Sequence, residues 1–71
     1  MERFGEKLRL LRTKNGWSMA DLAPKLDVTR AYIGRMERGE KIPNAAMILR
    51  IADTFNISID RLMRDELELD E

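Results

Sequence analysis

The sequence predicts an all-α chain, a compact domain of five helices that includes a helix-turn-helix. Three observations predict it. First, a helix-start signal recurs at Trp17-Ser18 with Leu22, Val28-Thr29 with Ile33, Pro43-Asn44 with Ile48 and Ile57-Ser58 with Leu62. Each pairs a Ser, Thr or Asn able to accept a bond from a first-turn amide with two apolar residues that staple the chain as it enters the helix. Second, the apolar residues that follow recur every three or four positions, and no segment alternates apolar and polar residues over a useful strand length. Third, only Asp27 and Val28 are available to turn the chain between the second and third helices, so these must cross steeply rather than lie antiparallel.

In chain order, the first helix places Phe4, Leu8 and Leu11 on one face and ends at Asn15-Gly16, as a left-handed helix terminus would. The second runs from about Met19 to Leu26 with Leu22, Ala23 and Leu26 inward; Ala23 is small where the next helix approaches, and Asp27 tolerates a left-handed turn. The third runs from about Arg30 to Arg38 with Ile33 and Met36 inward. The fourth buries Ile48, Ile51, Ala52 and Phe55, and the fifth is short, near Ile59 to Met63. Trp17, at a staple position, is expected to pack in the core. The closing "DELELDE" reads as frayed and acidic, which gives one domain over residues 1–64 and an acidic tail over 65–71.

Composition narrows the function classes. A chain of 71 residues buries a modest core and leaves little room for a large substrate pocket. It has no Cys and no His, so disulfides and any thiolate or imidazole chemistry or metal ligation are absent, and no metal or cofactor is expected. The crowded carboxylates, Asp65, Glu66, Glu68, Asp70 and Glu71, fall in the tail, with no scaffold to shift their pKa values, so an enzyme is not expected. No apolar run reaches the length of a membrane span and no signal segment opens the chain, so the expected location is cytoplasmic.

The zero net charge hides a division. Residues 1–50 hold eleven Lys/Arg and six Asp/Glu, whereas residues 51–71 hold two and seven. Beyond about 10 Å such charges are screened, so a polyanion near the amino-terminal part would meet a positive surface. Arg30, Arg35, Arg38 and Lys41 cluster within "VTRAYIGRMERGEKIP" against Glu37 and Glu40 alone.

"WSMADLAPKLDVTRAYIGRMERGEKIP", followed by "ILRIADTFNISIDRL", resembles the helix-turn-helix domain of the phage Cro and repressor family over nearly the whole chain, from Phe4 to Leu62. Val28, Thr29, Ile33, Glu37, Gly39 and Pro43 stand where that family has its third-helix pattern. The resemblance implies a lambda-repressor-like fold whose third helix enters the major groove of double-stranded DNA. It also implies an Arg12–Glu37 ion pair tying the first helix to the third. Two positions depart from the pattern: Met19 replaces a Gln whose amide bonds a phosphate, and Asp27 replaces a turn glycine.

Within that frame Arg30, Ala31 and Arg35, away from the buried Ile33 and Met36 stripe, are the expected base readers: arginine forks two bonds to guanine and alanine offers a methyl to thymine. Arg38 and Lys41 are expected at phosphates, with Ser18, Thr29, the first-turn amides and, more weakly, Lys14. Tyr32 is expected either along the sugar-phosphate backbone or packed against the fourth helix. Ile59, Leu62, Met63 and Leu67 are the expected contact of a homodimer on an inverted repeat, with about 34 Å between its recognition helices. No small-molecule effector is expected within the chain. The rival reading is a protein-interaction adaptor, or an antitoxin-like partner protein, on the same fold.

Overall fold

The computed structural model describes residues 3–65. It contains α1 (Phe4–Lys14), α2 (Met19–Leu26), α3 (Arg30–Glu37), α4 (Ala45–Phe55) and α5 (Ile59–Met63), and no strand among the described residues.

The four sequence start signals all form caps. Ser18 Oγ accepts from Asp21 N at 3.0 Å, Thr29 Oγ1 from Tyr32 N at 3.1 Å, Asn44 Oδ1 from Met47 N at 2.8 Å and Ser58 Oγ from Arg61 N at 3.2 Å. At α2 the Asp21 carboxylate also accepts from Ser18 N at 2.9 Å, which closes a capping box.

The helix ends share a second device. Trp17 N donates to Arg12 O at 3.1 Å, Val28 N to Ala23 O at 3.0 Å, Glu40 N to Arg35 O at 2.9 Å and Ile57 N to Ala52 O at 3.0 Å. Each bond wraps over one left-handed residue: Gly16, Asp27, Gly39 or Asn56. Asp27, at φ 58°, therefore performs the turn that a glycine performs elsewhere.

α3 packs on α1 and α2, α4 on α2 and α5, and α1 on α5. The core between them is Phe4, Leu8, Leu11, Leu22, Ala23, Leu26, Ile33, Met36, Ile48, Ile51, Ala52 and Leu62. Phe55, expected inside α4's buried face, is only half-buried: its ring lies 5.5 Å from that of Trp17, and the two cover the edge of the core together. Trp17 is itself half-buried, with the Lys25 ammonium 4.5 Å from its ring centroid.

Three contacts were not read from the sequence. Gly5 lies against the end of α3 so closely that a Cβ there would stand 2.5 Å from Glu37 O and 2.7 Å from Met36 O. Lys7 is fully buried and donates its ammonium to the carbonyls of Arg61, at 2.6 Å, and Arg64. Asp65, assigned above to the tail, accepts from Arg3 N at 2.8 Å and lends its backbone carbonyl to Arg3 Nη1 at 2.9 Å. The rest of the tail, residues 66–71, lies outside the described residues.

Candidate nucleic-acid interface

α3 is divided lengthwise. Ile33 and Met36 are fully buried, while Arg30, Ala31 and Arg35 are exposed. Ala31, Arg35 and Arg38 recur at spacings of four and three, so one exposed stripe runs the length of the helix. Arg30 stands beside it in the first turn, where α3 has no acidic residue. The stripe is fixed from behind by the core and from below by α2. In turn, α2 is braced by Arg50 of α4, whose Nη1 donates to Leu26 O at 2.9 Å.

The amino ends of α2 and α3 differ. Each capping hydroxyl accepts from a first-turn amide; that of Thr29 leaves its own O–H free to donate outward, whereas the Ser18 hydroxyl also bonds the Asp21 carboxylate. At α2, however, the Asp21 carboxylate already sits over the helix end, and its hydrogen bonds from Ser18's backbone and side chain hold it below the ordinary aspartate range. The end of α3 carries no such counter-ion, so it is the more open anion site of the two.

Arg12 and Glu37 form a forked pair, Nε to Oε2 at 2.7 Å and Nη2 to Oε1 at 3.1 Å, while Arg12 Nη1 donates to Trp17 O at 2.9 Å. Both side chains are largely buried, and the bond to Glu37 raises the arginine pKa further against the opposing effect of burial. The pair spends both charges internally, so neither is available to DNA.

Other sequence candidates fall in different places. Lys14 and Lys41 are exposed, the first in the last turn of α1 and the second in the loop after α3. Tyr32 is half-buried against the core, with part of its surface left open. Met19 is half-buried and also packs on the core, its Sδ lying 3.6 Å from the position a Cβ would take on Gly34. Arg38 is exposed but paired with Glu40, Nε to Oε2 at 2.7 Å.

The expected dimer contact needs correction. Leu62 is 0% exposed, because α5 uses that residue to close the core between α1 and α4, so it cannot meet a partner in the folded domain. Met63 is half-buried against the core, Ile59 remains 41% exposed, and Leu67 lies outside the described residues. Ile42 and Leu49, at 76% and 51% exposed, are large apolar surface residues that the sequence reading did not single out. Their positions lack a partner in the helical pattern, which was the available signal.

The sequence pattern that defines the helix-turn-helix family matches residues 8–62, most of the chain. The chain belongs to the helix-turn-helix family. It is 35% identical over 65 residues to YazB, an uncharacterised HTH-type transcriptional regulator of Bacillus subtilis, in a match covering 92% of this chain and 94% of YazB. Among solved structures it resembles the restriction-modification controller protein C.AhdI from Aeromonas hydrophila, with a TM-score of 0.78 and 36% identity over 86% of this chain and 92% of that one. It also resembles the P22 c2 repressor protein, solved in complex with synthetic operator 9T, with a TM-score of 0.81 and 30% identity over the same shares of 86% and 92%. By family and by fold, this helix-turn-helix chain is a DNA-binding transcriptional regulator.

Proposed function

We propose that this helix-turn-helix protein acts as a repressor, a homodimer that places two copies of α3 in successive major grooves of an inverted repeat. Arg30, Ala31 and Arg35 read base edges. Ser18, Thr29, Arg38 and Lys41 hold phosphates, with Tyr32 and Lys14 at the margin. The observation that carries this reading is the division of α3: an exposed cationic stripe backed by a buried apolar one, with no acidic residue in its first turn. Met19 brings a thioether where a hydrogen-bonding amide would grip a phosphate, so the phosphate grip relies on the arginines and lysine of α3 and its following loop. Ile59 supplies exposed apolar surface on α5 for the two-fold contact.

The reading assigns no catalytic step to the chain and places it in the cytoplasm. No helix among the described residues is long and apolar enough to cross a membrane.

Selection of bound sequences from a random duplex pool tests the proposal. The expected result is an inverted repeat whose half-sites are one DNA turn apart, about 34 Å, and each of which contains a G·C pair. Sedimentation with the selected duplex is expected to give two chains per repeat. Enrichment of no sequence, with salt-insensitive retention on duplex, would favour an adaptor instead. One chain per repeat would remove the homodimer.

A further inference from the structure

Arg38 ends α3, yet its side chain turns back along the helix it has left. Its Nη1 lies 3.0 Å from the position a Cβ would take on Gly34, and Met19 Sδ lies 3.6 Å from the same point. Gly34 is buried despite having no side chain, because these two groups roof it. Arg9, Arg12, Met19, Gly34, Glu37 and Arg38 line one shallow depression at the junction of α1, α2 and α3. Glu37 is spent on Arg12. Met19 brings no donor, so Arg38 is the α3 cation placed to hold an anion beside the start of α2.

Arg38 is not idle in this structure. Glu40 takes its fork, Oε2 accepting from Nε at 2.7 Å and Oε1 from Nη2 at 3.4 Å. The carboxylate is delivered by the turn itself: Gly39 adopts φ 77°, and Glu40 N donates to Arg35 O at 2.9 Å, which fixes Glu40 beside the residue two places earlier. The hydrogen bond holds the Glu40 carboxyl below its ordinary range and the guanidinium above its own, so the pair stays doubly charged across neutral pH. A guanidinium edge binds one forked anion at a time, so carboxylate and phosphate exclude each other there.

We propose that Glu40 is a built-in competitor for DNA phosphate, a latch that occupies the Arg38 fork in the free protein and must be displaced when the backbone docks. The proposal rests on Arg38 being a phosphate contact. Both side chains are more than half exposed, 58% and 53%, so the pair is weak and phosphate can open it. Its effect is to lower the backbone grip by a fixed factor on any sequence.

The test is a double-mutant cycle on the full chain with Glu40→Gln, Arg38→Ala and the combined variant, each titrated with a short duplex of random sequence across a range of salt. Glu40→Gln is expected to tighten binding about two- to fivefold, the range expected for releasing an exposed ion pair. Its log–log salt slope should change by much less than the ~0.9 of a whole phosphate contact, because Arg38 reaches phosphate in both proteins. The gain should disappear when residue 38 is alanine. An equal gain in the two backgrounds would show that Glu40 only repels DNA through space, and no gain would show that Glu40 does not compete with phosphate for Arg38; either result overturns the latch. Wild-type protein that showed no salt-dependent binding to duplex would instead remove the DNA-binding reading on which the latch depends. Thermal unfolding of each variant confirms that the comparison is between folded proteins.

Discussion

Lys7 of α1 and Arg35 of α3 are both cations on short helices, and the domain uses them in opposite ways. Lys7 is fully buried, with its ammonium wedged against the carbonyls at the end of α5. Arg35 is exposed and enters no ion pair among the described residues. Around Lys7, the α1–α5 side is closed by groups that satisfy one another: Gly5 against the backbone of α3, and Arg3 against Asp65. Around Arg35, the α2–α3 side is rigid behind and open in front. A small domain without disulfides can hold a cationic surface open to solvent only if its scaffold is secured elsewhere, and here the securing contacts lie on the far helices.

If that division is real, substitutions on the two sides should affect different measurements. Lys7→Met is expected to cost the most stability, about 3 kcal/mol, because it removes the donor that satisfies carbonyls at a buried helix end. Chemical denaturation should show it as a lower midpoint, and DNA preference should be unchanged wherever the protein remains folded. Gly5→Ala is expected to cost about 2 kcal/mol by forcing α1 off the end of α3. A stability equal to wild type would mean that the two backbones can separate freely, and that the α1–α3 approach is not a constraint.

On the open side the effects are smaller and appear in binding. Met19→Gln is expected to strengthen binding to any duplex by about 1 kcal/mol, since its amide can donate to a phosphate where the thioether cannot. Gel-shift titration checks this, and unchanged affinity would show that the Met19 site is already served by Arg38. The smallest effect concerns the α2 capping box. Asp21 has a lowered pKa in the folded protein, so its contribution is present above its unfolded value and is lost as pH falls through the folded one. Wild type should therefore be more stable than Asp21→Ala at neutral pH but not in strong acid, a difference that thermal melts at the two pH values would show.

Much of the architecture was legible in the sequence because it rests on local chemistry. Ser18, Thr29, Asn44 and Ser58 cap within three residues of themselves, so their partners are adjacent in the chain. The helix-turn-helix followed from the short Asp27-Val28 connection for the same reason. What stayed hidden depends on long-range approach. Lys7 reads as one more polar position on α1, and only the docking of α5, 54 residues later, makes it a core residue. Leu62 reads equally well as core or as interface, since the apolar period of a five-residue helix cannot say which side meets a partner; the structure assigns it to the core. Asn56, the left-handed end of α4, carries a readable signal, because asparagine tolerates that conformation. The base-reading assignment of Arg30, Ala31 and Arg35 rests on exposure and periodicity together.

The central claim is that the exposed stripe of α3 reads sequence and does not merely hold charge. Equilibrium binding of wild type, Arg30→Ala and Arg35→Ala to a selected site and to random duplex, at one fixed salt concentration, tests it most directly. Each substitution is expected to cost about 1–3 kcal/mol at the selected site, to cost less on random duplex, and to relax preference at one base position. Equal losses on both duplexes would show that the two arginines touch only phosphates, and would contradict the account.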